Sequence, residues 1–272
     1  RCKNNGVHSD AQRILKFESM NLALLQARMG STRLPGKVLM DVAGKPILQQ
    51  LLDRLKPSQK INAVVVATTT NPEDDAIEAF CTNYGVTCSR GSDWDVLDRF
   101  LKAAQQCDAQ SGDTIVRICC DNPIQSWKVV DFVIEQFERY KVDYFSNSNQ
   151  DPDYLEDGFD AEVTSFDALQ YAAGNATLMS EREHVMPFIK NCGKFKLGWR
   201  KANADYQFKL SVDTPNDLHM AQRIFEELKD TPDFAIDEVV DLLRNKPEIL
   251  AINSDSEINS GYKKSLIHDR KV

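Results

Sequence analysis

Long apolar runs are missing from this 272-residue chain. None approaches the roughly 20 residues that a bilayer-spanning helix needs, so no membrane partner is expected. The first ten residues, RCKNNGVHSD, lack the apolar centre of a secretory leader. Histidine is scarce. The four residues, His8, His184, His219 and His268, are scattered, which excludes a zinc helix of the His-Glu-x-x-His kind. Seven cysteines (Cys2, Cys81, Cys88, Cys107, Cys119, Cys120 and Cys192) contain no Cys-x-x-Cys pair and no zinc spacing. Their odd number and apolar neighbours read as free thiols in a reducing cytoplasm. Positive charge is the minority, with 33 basic against 41 acidic residues and a net charge of -8. Nucleic acid is therefore not an expected partner.

Against that acidic background, one loop is basic. The apolar run Leu22 to Leu25 meets a segment carrying Arg28, Arg33 and Lys37, shaped by Gly30, Pro35 and Gly36. Glycine lets backbone N–H groups approach phosphate oxygens, and the cations neutralise them, so the segment reads as a polyanion site. It is not a P-loop. Gly30 stands one residue too early for that spacing, and Val38 occupies the place of the magnesium-binding hydroxyl. A metal at this loop would need carboxylates from other strand ends.

Strand and helix alternate from residue 22 to residue 146. Leu22 to Gln26, Ala63 to Ala67, Val86 to Ser89 and Thr114 to Ile118 read as strands, the longer ones continuously apolar as in a buried parallel sheet. Pro46 to Leu55, Asn71 to Tyr84, Asp93 to Gln106 and Ser126 to Tyr140 read as helices. Asn71 caps one and Pro46 opens another. The pattern predicts an α/β fold with a doubly wound, mostly parallel sheet. Residues 1–19 read as an N-terminal extension. Because the first residue is Arg, a processed chain or a piece of something longer is expected, with the folded domain, residues 20–253, beginning at Met20. Residues 147–205 form an excursion over substrate or a dimer contact. Within and after it, Phe159 to Val163, Phe195 to Gly198 and Tyr206 to Val212 read as strands, and Ser165 to Ala173 and Ser180 to Asn191 as helices. Pro215 to Leu228 and Ile236 to Arg244 read as the last helices, followed by a polar, loose tail over residues 254–272.

Ligands of open parallel sheets sit at the carboxyl ends of the strands. Asp121 follows the strand 114–118, and Asp213 directly precedes the helix at Pro215. Both suit a magnesium ion carried by phosphates, which takes a few carboxylates together with phosphate and water oxygens. Taken singly, each is more often a turn or cap residue; taken with the basic loop, the metal reading is favoured. Thr68, Gly91 and Ser92 fall at the same edge, where they could read base or ribose or serve turns and caps.

The stretch QARMGSTRLPGK (Gln26–Lys37) resembles the signature loop of the cytidylyltransferases that make CMP-activated sugar acids, the 3-deoxy-manno-octulosonate and acylneuraminate enzymes, and most of all their spore coat polysaccharide branch. The resemblance continues in order through VATTTNPEDDAI, RGSDWDVLDR, RICCDNPI, EREHVMPFI and SVDTPNDL, covering roughly Leu22 to Leu250. It implies a Rossmann-like nucleotidyltransferase with a small α+β excursion, CTP and a sugar acid as substrates, Mg2+ as cofactor, a homodimer, and a cytoplasmic role in making cell-surface polysaccharide. By position it implies that Arg28, Arg33 and Lys37 hold the triphosphate, that Ala27, Gly30 and Ser31 lie along the nucleotide with Thr68, Gly91 and Ser92, and that Asp121 and Asp213 ligate magnesium. Asn147, Glu162, Arg182 and His184 are the candidate sugar-binding residues, the last two as cations for a carboxylate; Asn147 and Glu162 read more often as structural hydrogen-bonding residues, and His184 equally as a helix-face histidine near a dimer contact.

The chain departs from the branch at three places. Cys119-Cys120 stands where Thr-Gly is usual, Ser211 where the acylneuraminate enzymes carry a further acid, and Lys209 where Arg is frequent. Two other readings stay open. One is a glycosyltransferase using a nucleotide sugar, with Asp93-Trp94-Asp95 or Asp151-Pro152-Asp153 as its metal motif. The other is a CTP-binding protein without turnover.

Overall fold

A computed structural model describes residues 19–148, 157–200, 208–258 and 260–272. The elements follow in chain order. Strand β1 (Asn21–Gln26) leads through the basic loop to a small antiparallel pair, β2 (Asp41–Val42) and β3 (Lys45–Pro46), and to helix α1 (Ile47–Leu55). Then come β4 (Ala63–Thr69), α2 (Asp75–Tyr84), β5 (Thr87–Gly91), α3 (Val96–Gln106), β6 (Thr114–Cys119), α4 (Trp127–Tyr140), β7 (Tyr144–Ser146) and β8 (Glu162–Ser165). Helices α5 (Phe166–Asn175), α6 (Met179–His184) and α7 (Pro187–Asn191) precede β9 (Leu197–Trp199). Helices α8 (Pro215–Glu227), α9 (Ile236–Asn245), α10 (Pro247–Leu250) and α11 (Ser260–Ile267) close the chain.

The main sheet has the order β5-β4-β1-β6-β8-β7-β9. β5, β4, β1 and β6 run parallel, so their carboxyl ends share one edge. β8 enters antiparallel between β6 and β7. One apolar layer joins α1, α4, α8 and α9 to one face; a second packs α3, α5 and α7 on the other. Burial on both faces is why the central strands carry no polar alternation.

The expected α/β, mostly parallel sheet is therefore present, with differences in detail. Residues 208–212 of the segment read as a strand over 206–212 are not strand; residues 206 and 207 lie outside the described residues. The helix expected over 180–191 is two helices, because Val185 takes φ 69° between them and Pro187 opens the second. The tail is not loose. Its helix α11 contacts α6, and Lys271 forms a bridge with Leu178. The described cysteines are free thiols, and no described helix is long and apolar enough to cross a membrane.

Candidate active site

The basic loop is fastened at both ends. The Ala27 N–H donates to the Ala67 carbonyl at 3.2 Å, and that of Gly36 to the Met29 carbonyl at 2.8 Å. Gly36 adopts φ 75°, a left-handed turn that favours glycine, and so starts the 3-10 turn that carries Lys37. Between them, the Met29 N–H donates to Asp74 Oδ1 at 2.6 Å. Asp74 is fully buried and also accepts from the Thr69 amide and hydroxyl at the end of β4. Sequence reading treats Asp74 only as an acid in the first turn of a helix. The fold makes it the anchor of the loop. A Cβ at Gly30 would meet only the movable tip of the exposed Glu73 side chain, at 2.7 Å.

Lys37 is buried at the centre of the site. Its ammonium donates to Asp121 Oδ2 at 2.8 Å, to Asp213 Oδ1 at 2.9 Å and to the Val212 carbonyl at 2.7 Å. Burial disfavours the charge, but Asp121 and Asp213 outweigh it and raise the lysine above its ordinary value. Asp213 is in turn held by Arg33 at 2.8 Å and by Lys209 at 3.2 Å. Burial alone would lift its carboxyl; Lys37, Lys209 and Arg33 instead hold it at about 2. The two aspartates come together because the Val212 N–H donates to the Asp121 carbonyl at 2.8 Å, tying the segment before α8 to the end of β6.

Two cavities, of about 510 and 410 Å³, adjoin here. Gln26, Arg33, Cys119, Asp121 and Asp213, with Ser260 and Gly261 of α11, line both and form the seam. The smaller cavity has Arg28, Ser31 and Lys37 on its walls, and the larger has Arg117, Tyr144, Glu162, His184 and Lys190. The basic loop thus faces one chamber, and the excursion supplies much of the other.

The fold gathers Arg28, Ser31, Arg33, Lys37, Asp121 and Asp213 around this cleft. Thr68, Gly91 and Ser92 line neither cavity. Thr68 is fully buried, a Cβ at Gly91 would meet Arg99 at 3.0 Å, and Ser92 accepts from Asp95 and Arg99. Ala27 is buried in the core. Among the sugar candidates, Asn147 and Arg182 line neither cavity and are engaged in structural hydrogen bonds. Asn147 is fully buried, donates to the Phe159 carbonyl and accepts from the Ala161 N–H. Arg182 pairs with Asp95 at 3.0 Å and donates to the carbonyls of Ala173 and Ala176, so its charge is spent between helices. His184 does line the larger cavity, but not as a cation. Burial moves it to about 4, so its ring is neutral at pH 7. Glu162 lines the same cavity and is tied to Arg117, Lys190 and Tyr144. Asp95 both caps α3 and binds Arg182, which leaves Asp93-Trp94-Asp95 unsuited to hold a metal. Residues 151–153 lie outside the described residues. Cys120, in the place of the glycine, packs into the core; Cys119 is the one facing the cleft.

Several cleft residues escape sequence reading. Arg117 projects from a strand that looks purely structural. Lys209, which the sequence shows only as a departure from Arg, pairs with Asp213 from behind the cleft, and Ser260 accepts from Arg33 at 2.7 Å out of a tail that looks loose.

A family model described as cytidylyltransferase matches residues 22–258, stopping short of α11. An uncharacterized protein of Methanocaldococcus jannaschii is 37% identical over 86% of this chain and 94% of its own. The spore coat polysaccharide biosynthesis protein SpsF of Bacillus subtilis is 30% identical over 84% of this chain and 95% of its own. Among solved structures, a cytidylyltransferase from Leptospira borgpetersenii superposes with a TM-score of 0.78 at 30% identity, covering 86% of this chain and 97% of the other. A CMP:2-keto-3-deoxy-manno-octonic acid synthetase complexed with CTP shares the fold, with a TM-score of 0.55 at 19% identity over 77% of this chain and 99% of its own.

Proposed function

Because the chain belongs to the cytidylyltransferase family, we propose that its cleft transfers CMP from CTP to the hydroxyl of a sugar acid, with release of pyrophosphate, in the making of cell-surface polysaccharide. The observation that carries this reading is the seam. Arg33, Asp121 and Asp213 stand between a chamber walled by the basic loop and a second, larger chamber. Nucleotide in the first and acceptor in the second would meet at that seam.

The attacking hydroxyl oxygen bonds to the α-phosphorus, the bond from that phosphorus to the β-phosphate bridging oxygen breaks, and the hydroxyl proton is lost. Such chemistry needs positioning and charge neutralisation more than covalent help. Arg28, Arg33 and Lys37 supply cations to the triphosphate, and Lys37 stays charged because two aspartates flank it. The acid pair also suits magnesium. Its oxygens already gather round one ammonium, and hard carboxylate donors with phosphate and water oxygens are what this ion takes. Asp121 and Asp213 would hold it, and when bound it neutralises phosphate charge and acidifies the attacking hydroxyl. Glu162 keeps Arg117 and Lys190 at the wall of the larger chamber, where an acceptor carboxylate would meet them.

A magnesium-dependent pyrophosphate-release screen tests the proposal by crossing the four nucleoside triphosphates with sugar acids and neutral sugars. Release with CTP and a sugar acid is expected. Release only with another nucleotide, or with none, overturns the reading.

A further inference from the structure

Helix α11 lies beyond the region that matches the family, yet it walls the cleft. Its first residue, Ser260, takes a hydrogen bond from Arg33. Ser265 Oγ lies 2.9 Å from His184 Nε2 and donates to Glu183 at 2.9 Å, and the Tyr262 ring stands edge-on to that of His184 at 4.9 Å. The chain after the helix is fastened as well. The Ser180 hydroxyl donates to Asp269 at 2.6 Å, the Met179 N–H to the Arg270 carbonyl at 2.9 Å, and the Val272 N–H to the Thr177 carbonyl at 2.9 Å. The segment is thus held against α6 from both ends, and its position over the cleft is fixed.

The helix carries two lysines and no acid in a chain of net charge -8. They differ in employment. Lys263 pairs with Glu257 at 3.2 Å. Lys264 has no ion pair among the described residues and lines the smaller cavity together with Arg28, Arg33 and Lys37 of the basic loop. It lines only that cavity, away from the larger chamber. From this geometry we infer that Lys264 is a fourth cation for the nucleotide's polyphosphate, delivered by the C-terminal helix and reaching the β- and γ-phosphates rather than the nucleoside. This rests on the nucleotide reading above. It makes the tail part of the binding site.

Calorimetric titration of the full chain with CTP and with CMP, in magnesium, tests it. Lys264→Ala is expected to weaken CTP about tenfold and to leave CMP within about twofold, since CMP lacks the outer phosphates; Lys264→Arg is expected to retain CTP. Equal CTP affinity in Lys264→Ala and the parent overturns the inference while leaving the proposed function standing. An equal loss for CTP and CMP overturns it too, because the helix would then only support the cleft. A parent chain that binds no CTP overturns the proposed function and this inference together.

Discussion

Lys37 and Asp213 are joined across 176 positions of sequence by a 2.9 Å hydrogen bond from a buried ammonium to a carboxylate. A buried charge is tolerable only while paired. Lys37 also faces Asp121, so its removal leaves two carboxylates together, of which Asp213 keeps Arg33 and Lys209. Lys37→Ala is therefore expected to lower stability by about 3 kcal/mol and pyrophosphate release by about a thousandfold. Urea denaturation and steady-state kinetics check the two parts. Unchanged turnover would remove Lys37 from the chemistry.

Asp213 makes the fold sensitive to acid. Its carboxyl sits at about 2 against an ordinary 3.8, because Lys37 and Lys209 overcome the effect of burial. A folded-state value below the unfolded one stabilises above the unfolded value and is lost as pH falls. The contribution, roughly 2 kcal/mol, should be complete above pH 4 and fade between about pH 4 and pH 2. Asp213→Asn should show a shallower loss of urea midpoint over that window than the parent chain. Parallel curves would contradict the pairing.

What sequence made legible follows from how far each signal reaches. The strands Leu22 to Gln26 and Ala63 to Ala67 stand out because strands covered on both faces are apolar throughout, and the basic loop stands out against an acidic chain. β7, three residues long, and β8, which enters antiparallel beside β6, depend on pairing partners that no local pattern reveals. Helix α11 lacks a strong apolar stripe and is fixed by polar contacts with α6, so it reads as a loose tail. In the site, Arg33 and Lys37 stand out as cations on one loop of an acidic chain, and Asp121 and Asp213 by their places after a strand and before a helix. The employment of Arg182 by Asp95, 87 positions away, does not.

His184 should be silent as a base near neutrality. Burial lowers it to about 4 from an ordinary 6.5. The unfolded chain therefore binds a proton that the folded one refuses between those values, and stability declines as pH falls from about 6.5 to about 4. The imidazole NMR shift of His184 should titrate with a midpoint near 4. A midpoint near 6.5 would mean a solvated ring and would restore it as a candidate cation for the acceptor.

Asp74 offers a test of how the loop is held. It accepts from the Met29 N–H in the basic loop and from two donors of Thr69 at the end of β4. Asp74→Ala strands these buried donors, which costs about 1–3 kcal/mol. It should also free the loop, seen as faster amide exchange at Met29 and a CTP KM raised about tenfold, with Asp121 and Asp213 untouched. Exchange at Met29 as slow as in the parent would show that Gly36 and Ala67 suffice to fix the loop.

Glu162 is the sharpest case of a carboxylate whose role is to keep cations in place. It accepts from Arg117, from the Tyr144 hydroxyl at 2.7 Å and from Lys190 at 3.4 Å. Burial would push its carboxyl up, but Lys190 and Arg117 hold it at about 2. Glu162→Gln keeps the shape and removes the charge, leaving two cations facing a neutral amide in a half-dry wall. The expected cost is about 3–5 kcal/mol. If uncompensated charge is the cause, Lys190→Met in the Glu162→Gln background should recover about 1 kcal/mol of that loss, whereas the same substitution in the parent should only destabilise. A double-mutant cycle in urea reads this coupling directly. Additive losses would instead make Glu162 a hydrogen-bonding residue whose charge is incidental.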